Sequence, residues 1–229
     1  MLTNTTASPR LPGHRVHQEP REKSVVPYIA LRVGESPVAK QLDLELRGGP
    51  GTWGLAYADE VPDDRDSHDV LWQRYHETRD CAGRVTGAPV AGRVHPGRLR
   101  ETVSRLTCPV CNHPADKTDD GYLFLVPRAK SRIEAPLTTW PPVCREHATV
   151  HARDRPDLRD GYTAIRSADP TLHGVRGRQY RRAGTAFEVA RRDARMPYGH
   201  AQQRWIVAYR LVRRLTHPTV AIEAADAAR

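Results

Sequence analysis

Cys108-Pro-Val-Cys111 and, after a stretch of 32 residues, Cys144-Arg-Glu-His147 are the segments on which the organisation of this 229-residue chain turns. Each pair has two residues between its members, so each can grip one metal ion from adjacent turns of backbone. Two such pairs complete a tetrahedron. Zinc takes thiolate and imidazole ligands in that geometry, and four protein ligands leave no open position for water or substrate. The pattern therefore points to a structural zinc ion held by Cys108, Cys111, Cys144 and His147, and away from a catalytic one. The remaining cysteine, Cys81, lies in the polar stretch Thr78-Arg-Asp-Cys-Ala-Gly83 and reads as an incidental free thiol. Three cysteines in a metal pattern and one alone make no disulfide framework, which fits a reducing cytoplasm.

The residues around the two pairs extend the reading. Leu99, Val103 and Leu106 precede Cys108 at helical spacing. Asn112 can take the left-handed turn that a zinc knuckle needs. Asp119-Asp120-Gly121 reads as a tight turn before the apolar strand Tyr122-Leu-Phe-Leu-Val126. Pro141-Pro142 precede the second pair, and the residues after Cys144 favour a helix, which places Cys144 and His147 on its first turn and on one face. Knuckle, hairpin, then a helix carrying the second pair: this order resembles the treble-clef zinc finger. HNH endonucleases build their active site on that frame, with an Asp-His pair opening the middle motif and a Pro three residues after the His. Here Pro127 fits the Pro, so Leu123 and Phe124 stand at the Asp and His positions. Neither can bind a catalytic metal or activate water. The resemblance covers residues 108–147 and implies a zinc module without a nuclease centre.

Four segments carry a broader likeness: Gly54-Leu-Ala-Tyr-Ala-Asp-Glu60, Asp66-Ser-His-Asp-Val-Leu-Trp72, Cys108-Pro-Val-Cys-Asn-His-Pro-Ala-Asp116 and Pro141-Pro-Val-Cys144. In these the chain is similar to a group of uncharacterised treble-clef zinc-binding proteins of actinobacteria. The fourth ligand of that group is usually Cys; His147 departs from it and remains a competent ligand. The resemblance spans much of residues 25–215 and implies zinc binding. It brings no activity with it.

The net charge of +9 is unevenly placed. Between Gly174 and His217 stand eleven arginines against Glu188 and Asp193, an excess equal to the whole net charge. Such asymmetry attracts polyanions, nucleic acid first. Within this stretch, residues 200–215 read as an amphipathic helix, with Trp205, Ala208, Val212 and Leu215 on one stripe and Arg210, Arg213 and Arg214 facing away. Those three arginines, with Arg181 and Arg182, are the candidate nucleic-acid contacts.

The acidic run Asp59-Glu60-x-x-Asp63-Asp64-Arg65-Asp66-Ser67-His68-Asp69 is a second candidate site. Paired carboxylates beside a His can hold Mg²⁺ or Mn²⁺ for hydrolysis. The run lacks the Gly and Glu spacing of a calcium-binding loop, and Gly48-Gly-Pro-Gly51 lacks the Lys-Ser/Thr of a phosphate-binding loop. No apolar run reaches the ~20 residues that cross a bilayer, and the N-terminus lacks the pattern of a signal peptide. The expected fold is α+β: a disordered arm over 1–24, a β-rich region and linker over 25–97, the treble-clef zinc module over 98–156, and a strand/helix region over 157–229 ending in the basic amphipathic helix. The expected function is non-catalytic binding of DNA or another polyanion in the cytoplasm. The alternatives are a metal-dependent hydrolase built on residues 59–69, and a zinc-stabilised adaptor for a protein partner.

Overall fold

The structure, a computed structural model, describes residues 25–46, 51–130 and 134–223. The arm expected over 1–24 lies outside the described residues. Strands β1 (Ala30–Arg32), β2 (Leu42–Leu46), β3 (Trp53–Tyr57), β4 (Leu71–Trp72) and β5 (Pro89–Val94) come first. Helix α1 (Pro96–Arg105) follows, then β6 (Lys117–Thr118), β7 (Gly121–Pro127), β8 (Leu137–Thr138) and helix α2 (Ala148–Arg153). Three long strands end the described chain: β9 (Tyr162–Ala183), β10 (Ala186–Pro197) and β11 (Ile206–Glu223). Among the described residues no helix is long and apolar enough to cross a membrane.

β9 and β11 form the spine of a mixed seven-stranded sheet. They run antiparallel along most of their lengths. On its other edge β9 pairs first with β7, at Tyr162–Ser167, and then with β10, at Gly174–Ala183. β4 joins β11 in parallel and β8 joins it antiparallel. Strands from each stretch of the chain thus meet in one sheet. The pairs β1–β5 and β2–β3 form two small separate sheets. Gly184-Thr185 makes the two-residue turn between β9 and β10, with Gly184 at φ +63, as such hairpin turns favour. Gly121 enters β7 at φ +103, and a Cβ there would stand 2.1 Å from the Ser167 carbonyl oxygen, so only glycine fits.

The α+β expectation is overturned: among the described residues strands dominate, and no α-helix follows α2. Residues 206–223 are strand β11, preceded by a single 3₁₀ turn at Gln203–Trp205. The physical reason is visible in its burial. Both faces of the first half of β11 are covered, so Ile206, Val207 and Ala208 are all buried, as are Leu211 and Val212. A strand covered on both faces loses its alternation. Register shifts between Ala208 and Arg210 and between Val212 and Arg213 distort the period further. Ala208, Val212 and Leu215 fall on a helical stripe only because all three are buried in a bulged strand.

Helix α1 packs Leu99 and Val103 against Val175, Ile206, Ala208 and Leu211 of the sheet. His95 caps its start, accepting from the Arg98 amide at Nδ1, and Pro96 occupies the first turn. Its end is tied to β11. Arg213 is buried and donates to the carbonyls of Val103 at 2.7 Å and Ser104 at 2.9 Å, with a third bond to Pro170. A cation on the last carbonyls of a helix satisfies orphan acceptors and suits the helix dipole. β7 is likewise buried on both faces: Leu123 and Leu125 pack with Val143 and Leu158, while Phe124 and Val126 pack with Ile165 and Leu215.

Candidate metal centre

The chain leaves α1 through Leu106, which sits at φ +56 and ends the helix. A bridge between Thr107 and Pro114 then closes a tight loop. Inside it the Cys108 amide donates to His113 O at 2.8 Å and the Asn112 amide donates to Cys108 O at 2.8 Å. Asn112 takes φ +59, a conformation its short polar side chain tolerates. This loop turns Cys108 and Cys111 toward one point. The β6–β7 hairpin brings up the second pair. Leu123 N donates to Asp116 O, Asp116 N to Val143 O, and Val143 N to Leu123 O, at 3.0, 3.0 and 2.9 Å. Val143 is thereby locked against the hairpin, and Cys144 follows it directly.

Cys144 has extended backbone, and His147 closes a 3₁₀ turn, Arg145–His147, that runs into α2. The second pair therefore lies just ahead of the α-helix, not on its first turn. One ligand atom from each of Cys108, Cys111, Cys144 and His147 falls within 4.8 Å of the other three. Cys144 Sγ is 3.6 Å from Cys108 Sγ and 3.1 Å from His147 Nδ1. A tetrahedron with metal–sulfur arms of ~2.3 Å has sulfur–sulfur edges of roughly 3.8 Å, so the first spacing matches a shared ion. The group can hold a metal ion.

The electrostatics of Cys111 and Cys144 agree with that use. Cys108 is fully buried. Burial pushes the Cys144 thiol up to about 12; the His147 amide opposes this, and Cys108 and Cys111 add to it. Burial raises the Cys111 thiol too. Three thiolates at these spacings repel one another in the absence of a cation. A divalent ion reverses the balance, because thiolate is the form that ligates.

The arginines expected to form one basic face are dispersed. Arg213 is buried under α1 as described. Arg210 is half-buried, its guanidinium 5.0 Å from the Trp140 ring centre. Arg214 is exposed and meets His173 Nδ1 at 3.2 Å. Arg181 and Arg182 are exposed on β9, Arg181 paired with Glu188 at 3.0 Å and Arg182 donating to Gly184 O at 2.9 Å. Strand geometry and the bulges of β11 send residues 210, 213 and 214 to different surroundings, so they do not act as a helix face.

Most of the acidic run is consumed locally. Arg74 binds both Asp59, at 3.1 Å, and Asp64. Arg65 binds Glu60 at 2.7 Å. Asp66 accepts from the amides of His68 and Val70, from Trp72 Nε1 at 3.0 Å and from the Tyr198 hydroxyl at 2.9 Å. His68 stacks on Tyr198 with ring centres 3.7 Å apart. These carboxylates shape a loop. A second group close enough for a metal, Glu35, Glu77 and His95, went unseen in the sequence because its members are far apart in the chain. The Arg98 guanidinium already lies among them, 2.6 Å from Glu35 and 2.7 Å from Glu77, and supplies the positive charge that a metal would bring. Compared with known protein families, curated proteins and solved structures, this chain matches none.

Proposed function

We propose that this chain is a zinc-stabilised, non-catalytic protein that binds nucleic acid, double-stranded DNA first, through the β9–β10 ribbon. Zinc is the ion that the Cys₃His donor set and the paired spacing favour. A closed four-ligand site stabilises and leaves no coordination position for chemistry. Leu123 and Phe124, at the positions of the HNH acid and base, are buried in opposite faces of β7, which supports a module without nuclease activity.

The observation that carries the binding surface is the ribbon itself. Arg178, Arg181 and Arg182 on β9 and Arg191 and Arg192 on β10 are all exposed. They lie on two antiparallel strands joined by a tight turn. The major groove of B-DNA, about 12 Å wide, admits a two-stranded ribbon as it admits a helix. Guanidinium groups suit phosphate oxygens and guanine edges alike.

Binding of a short fluorescent duplex, followed by anisotropy against salt, tests this. The log–log slope is expected to be about −0.9 for each phosphate neutralised. Changing Arg178, Arg191 and Arg192 together to Gln is expected to flatten that slope by two to three such increments, roughly equally on unrelated sequences, because phosphate contacts carry no base information. Folding should change little, since substitutions of exposed residues usually stay within about 0.5 kcal/mol. Absence of binding even at low salt, or an unchanged slope in the triple variant, overturns the assignment.

A further inference from the structure

Arg176 faces two other arginines at once. Its register partner on β10 is Arg195 and its partner on β11 is Arg210, so three guanidinium side chains start abreast on one face of the sheet. Directly opposed residues have Cβ atoms about 4.5–5.5 Å apart, and like charges so placed destabilise a sheet. Nearby carboxylates leave the row only partly compensated. Asp193 binds Arg176 and accepts from the Tyr209 hydroxyl at 2.8 Å. Asp157 is bidentate on Arg155, at 2.6 and 3.1 Å. Among the described residues, neither Arg195 nor Arg210 has a carboxylate within ion-pairing distance.

Arg210 is the more telling of the two because it is half-buried. Its one side-chain hydrogen bond among the described residues is a long one, 3.4 Å to Thr139 Oγ1. Its guanidinium and that of Arg155 both lie on the Trp140 ring, 5.0 and 4.6 Å from its centre. Burial first, and then Arg176, depress its pKa, so the charged form is held at a cost. A cavity of about 270 Å³ opens over the row, walled by Arg155, Arg176, Arg195, Arg210, Trp140 and the Arg155-bound Asp157 among others. That volume lies just under the range of small-ligand sites. A fork of guanidinium donors matches a phosphate oxygen pair, and a dianion converts the repulsion along the row into attraction.

We propose that this cavity is a phosphate site that takes a terminal phosphomonoester, with Arg176, Arg195 and Arg210 as its cationic wall and the Trp140 ring beside the group that carries the phosphate. The ester can be a free nucleotide or the 5′-phosphate end of a strand; the recognising chemistry is the same. The site is independent of the ribbon, since Arg178, Arg191 and Arg192 lie outside the row.

Titration of the full chain by calorimetry and thermal melting tests it, with inorganic phosphate, adenosine monophosphate, adenosine, and an oligonucleotide with and without a 5′-phosphate. Inorganic phosphate should raise the melting temperature, and the monophosphate should bind while adenosine does not. Arg195 is exposed, so Arg195→Gln should fold normally and weaken the monophosphate about tenfold or more, the scale of a lost charge-assisted hydrogen bond. Arg210→Gln should do the same. The Arg178, Arg191, Arg192 variant should bind the monophosphate like the parent protein. A 5′-phosphorylated strand that binds more tightly than both the monophosphate and its unphosphorylated form identifies a strand end; a strand no tighter than the monophosphate identifies a free nucleotide. No heat and no melting shift with any phosphate probe up to about 10 mM, beyond the millimolar affinities of even weak sites, overturns the proposal. So does unchanged binding in Arg195→Gln, whether or not Arg210→Gln folds.

Discussion

Changing Cys108 to Ser is expected to unfold the region from α1 to α2 and to abolish stoichiometric metal binding. The protein purified from zinc-containing medium should carry one zinc per chain, and the variant close to none. Cys108 is fully buried, and its backbone holds the knuckle at both His113 and Asn112. Removing one thiolate leaves Cys111, Cys144 and His147 as a poorer three-ligand set beside a buried hydroxyl. Apparent zinc affinities in small structural sites amount to about 10–16 kcal/mol, which equals or exceeds the usual net stability of a domain at about 5–15 kcal/mol. A loss of even a third of that is enough to melt the packing of Val143, Leu123 and Leu158 against the hairpin. Cys81→Ser is the control, since Cys81 is exposed and outside the group. Because thiolate and neutral imidazole are the ligating forms, acid competes with metal: affinity should fall as pH falls, and loading the apo form should release protons. Zinc analysis by mass spectrometry and circular dichroism with a chelator check both parts. A Cys108→Ser protein that keeps one zinc per chain and an unchanged melting curve overturns the four-ligand centre.

How much of this was legible depends on the range over which each signal acts. The knuckle was legible because its information is local: two cysteines, an Asn that tolerates a left-handed turn, and the strand Tyr122–Val126, observed as β7 from Gly121 to Pro127. Leu99 and Val103 marked α1 by spacing and are its buried face. The β-rich reading of residues 25–97 had the same local basis: Leu42, Leu44 and Leu46 alternate with charged residues and form β2. The C-terminal third was not. β9 is 22 residues long and β11 is 18, each covered by different partners along its length, so neither keeps one pattern. β11 carried a false helical stripe. The arginines added to the error. Arg213 looked like an exposed charge because nothing in its neighbourhood in the chain reveals that Val103 and Ser104 lie against it.

The buried ion pair at Arg98 is revealed only by the structure, and replacing Arg98 by Met is expected to cost about 3–5 kcal/mol of folding stability, the range for leaving one charge of a buried pair uncompensated. The Arg98 side chain is 1% exposed and that of Glu35 0%. One guanidinium nitrogen reaches Glu35 and Glu77, at 2.6 and 2.7 Å; another reaches Glu35 at 2.8 Å and the Ala30 carbonyl at 2.7 Å. The residue thus fastens α1 to β1 and to the strandless segment after β4. Methionine matches the bulk of the aliphatic stem, so the loss reports charge and hydrogen bonds more than a cavity. Burial alone raises the Glu35 carboxyl, but the Arg98 hydrogen bonds and charge, with the Arg32 amide and His95, together outweigh it and hold the group below the usual carboxylate range. A carboxyl depressed in the folded state contributes stability that is present above its unfolded pKa, about 4.3 for Glu, and is lost as pH falls through the lower folded value. Without Arg98 the burial effect remains and the largest opposing pull is gone. The gap between parent and variant should therefore be widest near neutral pH and narrow as pH falls past 4.3. Changing Glu35 to Gln in the Arg98→Met background should recover part of the loss, because a neutral amide is less costly to bury than an unpaired carboxylate. Urea unfolding at neutral pH and near pH 4 measures all three. A single variant that loses less than about 1 kcal/mol, within the scale of exposed ion pairs, would mean that water reaches Glu35 and that the α1–β1 junction is not held by this pair.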